Sequence, residues 1–137
     1  MQNITRLFDF PYYQLEHFNL PDALVTKYDN EWVKTSTQEY INKANALSRA
    51  LLNLGIQKND KIAIISSNNR TEWHISDVGI LQVGAQNIPI YPTISSEDYE
   101  YILNHSEAKY CFVSDVEVLT KLNAIKANVP SLIGVYT

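Results

Sequence analysis

The sequence is poor in the residues from which chemistry is usually read. Its 137 positions hold one cysteine, four glycines and three histidines. A lone cysteine excludes a disulfide framework. Cys111, inside the apolar run "YCFV", reads as a buried, reduced thiol, because no His or Asp stands at a recognisable local spacing to activate it. None of the four glycines falls in Ser66 to Arg70, where a strand-to-helix corner could bring a backbone against a phosphate. His17, His74 and His105 are far apart and lack an i, i+4 partner, so no metal ligand is assigned. Basic charge is also scarce: Lys and Arg total 11 against 15 Asp and Glu, giving a net charge of −4. With the two signs interspersed, no face gathers to neutralise a phosphodiester backbone, and no nucleic acid is expected as partner. The N-terminal "MQNITRLFDFPYY" has no apolar leader core, and no run is long and apolar enough to span a bilayer. The expected location is cytoplasmic, at most peripheral to a membrane.

What is present is a regular alternation of elements. The chain is 45% hydrophobic and 19% charged, which suits one globular domain. "NEWVKT" from Asn30 to Thr35 reads as a strand or hairpin arm. Ser36 and Glu39 then form a capping box for a helix whose Tyr40, Ala44, Leu47, Leu51 and Leu54 line one face up to Gly55. Lys61 to Ile65 is a short β-branched run, as expected of a strand buried on both faces. Asn69 with Glu72 predicts the next N-cap. Further strands are predicted in "NIPIY", "KYCFV" and "LIGVY", with Ser95 and Asp115 capping the helices between them. Strands recurring every ~22 to 26 residues leave room for one crossover helix each, which predicts a parallel, doubly wound α/β sheet with helices on its faces. Pro89 cannot donate to a ladder, so its strand should lie at an edge, bulge, or bond through alternate residues. The first twenty or so residues, aromatic but aperiodic, read as an arm.

No site assembles from the remaining residues. The corner Ser66 to Arg70, where a strand passes into a helix, is the place at which open α/β sheets hold ligands, but it contains no glycine. Its asparagines are more simply read as an Asx turn and a cap, with Arg70 and Glu72 a solvated pair. Ser66 and Ser67 lack the G-x-S-x-G elbow, Asp98 and Glu100 read as a solvated helix face, and the nine tyrosines read as core and interface residues. No catalytic, cofactor-binding or metal-binding residue is assigned.

The order of motifs nonetheless resembles the N-terminal part of long-chain fatty acyl-CoA synthetases, of the adenylate-forming (AMP-binding) superfamily. The resemblance is carried by Trp32, Thr35, Leu54 to Ile56, Asp60, Asn69, Arg70, Glu72 and Trp73. It continues through Gly84, Ala85, Ile88 to Tyr91, Tyr101 to Leu103 and Ser106 to Ala108. It runs in unbroken order from about Leu7 to the C-terminus. Asn59 stands where Gly is usual before Asp60, and Thr71 where Pro usually precedes Glu72.

The resemblance implies an enzyme that uses ATP and Mg²⁺ to form an acyl-adenylate by in-line displacement at the α-phosphorus, then passes the fatty acyl group to coenzyme A. The Ser/Thr/Gly-rich phosphate loop, the ribose-binding acid, the Mg²⁺-binding glutamate and the C-terminal lysine of such enzymes have no counterpart here. The resemblance thus implies an incomplete first subdomain, inactive alone, whose partner is the remainder of the synthetase chain. Residues 1–35 are expected to form an arm and strand, and 36–137 a βαβ subdomain truncated at its C-terminus. Association through an exposed apolar face or the arm is expected. The alternative is a stand-alone α/β binding or interaction module, which would be monomeric and free of apolar patches.

Overall fold

In the computed structural model, which describes residues 4–137, each of the expected strands and helices forms, and three further elements precede them. The described residues gather into two compact units, one of residues up to Gln57 with Asn69–Val83, the other of Lys58–Asn68 with Gly84–Thr137.

The first unit is a helical layer carrying a hairpin. A 3-10 turn, Leu7–Asp9, leads into α1, Phe10–Phe18. The stretch read as an arm is therefore helical. Its apolar residues surround the helix instead of lining one face, and only Pro11 is buried, so no period was visible; Pro11 in the first turn was the usable signal. β1 (Leu24–Tyr28) pairs antiparallel with β2 (Glu31–Thr35) across Asp29-Asn30, both at positive φ (46° and 68°). Two left-handed residues match the twist of the flanking strands. α2 (Thr37–Asn53) starts with the expected capping box: the Ser36 hydroxyl accepts from Glu39 N–H, and the Glu39 carboxylate accepts from Ser36 N–H at 2.8 Å. It ends at Gly55, φ 81°, where Ile56 N–H donates to Leu51 O.

α3 (Thr71–Gln82) lies against α2. Tyr40, Ala44 and Val78 form one buried cluster of this unit, with Phe8, Leu24 and Ile75 packed on it. The helices approach closely because Gly79 faces Ala44 and Leu47, and Ser48 donates to Gly79 O at 2.9 Å.

The second unit is a four-stranded parallel sheet in the order β4-β3-β5-β6, with β3 Lys61–Ile65, β4 Gln86–Ile90, β5 Tyr110–Val113 and β6 Gly134–Tyr136. β3, buried along four of its five residues, is central, as its apolar run predicts. β4 is an edge strand, one of the arrangements open to a strand that holds Pro89. Gln86 N–H donates to Asp60 O, so by alternation Ile88 and Ile90 face β3 while Pro89 presents its donorless nitrogen to the open side.

One sheet face, with Ala63, Ile65, Cys111 and Val113, is covered by Tyr99 and Leu103 of α4 (Ser96–Ser106) and by Val118, Leu122 and Ile125 of α5 (Val116–Ile125). Cys111 is fully buried and its thiol is pushed up to about 12 by that burial, which leaves no thiolate for chemistry at neutral pH. The last strand is shorter than "LIGVY" suggests, beginning only at Gly134.

Candidate functional site

The strand order singles out one crevice. β4 lies on one side of β3 and the next strand, β5, on the other, so the winding reverses between β3 and β5. Open α/β sheets bind ligands beyond the carboxyl ends of the strands at this reversal. Ser66 and Ser67 follow β3 there, and Ser114 and Asp115 follow β5. Ser67, Ser114 and Asp115 are hydrogen-bonded together at this crevice, so the serine donors there are engaged by the protein itself. Ser67 N–H donates to Ser114 Oγ at 2.9 Å, and the hydroxyls of Ser67 and Ser114 donate to Asp115 Oδ2 at 2.6 and 2.7 Å. Asp115 Oδ1 accepts from Val118 N–H at 3.0 Å, capping α5 as expected, while Ser66 donates to Asn68 O.

A carboxylate thus occupies the helix N-terminus, the position in which an anionic ligand would be stabilised. The Ser67 hydroxyl, the Val118 amide and the Ser114 hydroxyl together hold that carboxyl at about 2. Because the folded value is depressed, the stabilisation is present above the ordinary carboxylate range. It is expected to fade as pH falls from about 4 towards about 2, and an acid titration of Tm on Asp115→Ala against the parent chain checks it. At neutral pH Asp115→Ala is expected to lower stability by about 1 kcal/mol, as for other lost N-caps.

The polar half of the corner behaves differently from the sequence expectation. Asn69 does not cap α3. The N-cap is Arg70, whose backbone is extended and whose side chain makes no capping bond to the helix backbone. The cap comes from the hairpin: Thr26 Oγ1 accepts from Thr71 N–H and shares a second bond with Thr71 Oγ1, both 2.8 Å. Glu72 does not reach back to the cap. It accepts from Tyr28 OH at 2.6 and 2.7 Å and from Arg70 Nε at 3.1 Å, with the guanidinium 5.4 Å from the Tyr28 ring centroid. Arg70 and Glu72 are therefore joined to the hairpin instead of being a merely solvated pair. Thr26→Val should cost roughly 1–3 kcal/mol by leaving buried donors unmet, whereas Thr26→Ser should cost much less; urea unfolding distinguishes them.

A cleft of about 480 Å³ lies in the first unit, walled by Phe10, Phe18, Leu24 and Val78, with His74 and Asp77 on its polar side. Tyr40 OH donates to His74 O at 3.3 Å, and burial, then the Asp77 charge, push its hydroxyl up to about 12. Its apolar walls can hold apolar matter, and its Tyr40 hydroxyl is no acid near pH 7. His17, His74 and His105 are all exposed, and among the described residues no three His, Cys, Asp or Glu side chains gather to hold a metal.

Comparison with known proteins gives this scaffold its relatives. The family model described as AMP-binding enzyme matches residues 16–136. The long-chain-fatty-acid–CoA ligase FadD15 of Mycobacterium bovis is 36% identical over 104 residues, covering 76% of this chain and 17% of that protein. The long-chain-fatty-acid–CoA ligase heimdall of Drosophila melanogaster is 30% identical over 101 residues, 74% of this chain and 15% of its own. The chain thus spans about a sixth of the length of these relatives. Among solved structures, the anthranilate CoA ligase AuaEII superposes with a TM-score of 0.84 over 100% of this chain and 26% of its own, at 22% identity. A Mycobacterium tuberculosis fatty acyl CoA synthetase gives 0.78 over 94% and 26%, at 20% identity. At these identities the structures show a shared fold, and the sequence match extends it to kinship: the chain belongs to the AMP-binding enzyme family.

Proposed function

We propose that this chain is the N-terminal part of an ATP-dependent long-chain fatty acid–CoA ligase, which forms an acyl-adenylate and then a thioester with coenzyme A. The observation that carries the reading is the 36% identity to a long-chain ligase over three quarters of this chain, at only 17% of that ligase's length. On this reading ATP, Mg²⁺, coenzyme A and the fatty acid are met by the remainder of the synthetase, and residues 36–137 serve as the βαβ support for that larger enzyme. No catalytic, cofactor-binding or metal-binding residue is placed here, and the chain alone is inactive. Its location is cytoplasmic, at most peripheral to a membrane; among the described residues no helix is long and apolar enough to cross one. Exposed apolar side chains such as Phe10, Phe18 and Trp32, and Val116 and Ile133, give surface for the rest of the enzyme, and in its absence for self-association.

The test is a chimera in which residues 16–136 replace the matching segment of the Mycobacterium bovis ligase. Long-chain acyl-CoA formation by the folded chimera is the expected result; a folded chimera that neither adenylates nor thioesterifies a fatty acid would overturn the reading. Calorimetry of the chain with Mg·ATP should give no binding tighter than millimolar, because the crevice donors already serve Asp115 and a carboxylate repels a polyanion. Micromolar affinity would contradict this account of the crevice.

A further inference from the structure

The β1–β2 hairpin leaves an open rim. Among the described residues β2 pairs only with β1, and four of its five residues are exposed. The two-residue turn closes on Tyr28 opposite Glu31, so the pairs that exchange N–H···O bonds inside the hairpin are Tyr28–Glu31, Thr26–Val33 and Leu24–Thr35. By alternation, the backbone N–H and C=O groups of Trp32 and Lys34 point away from β1, along the free edge. Their side chains share the outer face with Val25 and Lys27. Trp32 is 67% exposed with Lys27 Nζ 5.9 Å from its ring centroid, and Lys34 reaches Asp22 at 3.4 Å.

We propose that the chain self-associates by antiparallel pairing of β2 with β2 of a second copy, making a four-stranded sheet across a two-fold axis. The strand is complementary to itself in this arrangement. With Val33 on the axis, Trp32 falls opposite Lys34 of the copy, and Lys34 opposite its Trp32. These are the two residues whose backbone groups face outward, so the two pairs close four hydrogen bonds, and each indole gains an ammonium group across the strands. Glu31 falls opposite Thr35, so no like charges meet. The rim carries neither proline nor bulge to discourage pairing, and its one edge lysine is the residue matched to Trp32. Five-residue edges about 17 Å long make a contact under roughly 1,000 Å², so the dimer is weak and appears as concentration rises.

Sedimentation equilibrium of the 137-residue chain from micromolar to millimolar concentration is the test, with amide hydrogen exchange on the same samples. The expected mass rises towards two chains, and exchange slows with concentration at Trp32 and Lys34 while Val33, already bonded to β1, does not change. Trp32→Lys sets like charges opposite each other and should weaken association by about tenfold or more, and Lys34→Glu removes the ring's cation. The double variant restores an opposite-charge pair and should recover dimer. Both positions face solvent, so circular dichroism should match the parent chain. A monomer throughout the range, a dimer indifferent to Trp32→Lys, or no recovery in the folded double variant overturns the pairing. The inference specifies the self-association proposed above; a dimer that ignores Trp32→Lys removes this interface and leaves the ligase reading to its chimera.

Discussion

Gly79→Leu is expected to destabilise the α2–α3 layer by roughly 1–3 kcal/mol, the range of overpacked cores. The direction runs against propensity, since replacing an interior helical glycine ordinarily gains up to about 1 kcal/mol. Here a Cβ would stand 2.9 Å from Leu47 Cδ2 and 3.1 Å from Ala44 O. The leucine tip can swing aside, but the carbonyl is fixed by its own helix, so in Gly79→Ala that tight contact offsets the helical gain to near zero, whereas Gly79→Leu should force the helices apart. Denaturant unfolding followed by tryptophan fluorescence is the suitable measurement, because both tryptophans, Trp32 and Trp73, belong to the same unit as Gly79. A Gly79→Leu chain as stable as its parent would mean that α2 and α3 do not approach as described.

Tyr99→Ala is expected to cost roughly 3–5 kcal/mol, the largest effect of any substitution considered, since the whole ring is buried beneath α4 and its removal leaves a cavity the fixed sheet cannot fill. Tyr99→Phe keeps the ring and loses only the 2.8 Å bond to Pro92 O, so about 1 kcal/mol is expected, rising if that carbonyl stays dry. Tyr99 lies in the unit without tryptophan, so far-ultraviolet circular dichroism must report it. Against a marginal total of 5–15 kcal/mol typical of domains, the alanine variant should be largely unfolded at 37 °C if the parent sits at the low end of that range. Coincident transitions by the two signals mark one cooperative system, and separated transitions mark two.

Most of the sheet was legible because its signals are local. A four-residue apolar run, a Ser or Asp three residues before an amide it can cap, and a proline that cannot donate are each decided within one turn or strand. Ser36, Ser95, Asp115 and Pro89 therefore stand where the sequence placed them. Asn69 was misread for the complementary reason. Its pattern with Glu72 is a good cap on paper, but the Thr26 hydroxyl, 45 residues from Thr71, takes the amide instead, and Glu72 turns to Tyr28. Nothing in a local window foretells a cap delivered by a hairpin. Helix α1 was missed because a nine-residue segment with aromatics all around it has no face to detect. The crevice was located by the strand-to-helix corner, yet Ser114 and Asp115, which fill it, became its neighbours only once the strand order was known.

The proline of β4 has a consequence for how the sheet can grow. Its ring sits on the outer rim, at a position where an incoming strand would need a donor, so β4 makes a poor template for accretion of further chains and blunts one route to fibrous aggregation. β6 carries no proline, and at three residues it offers an incoming strand only a short template. The two margins of the sheet are thus unequal templates: the β4 margin lacks a donor at Pro89, and the β6 margin lacks none.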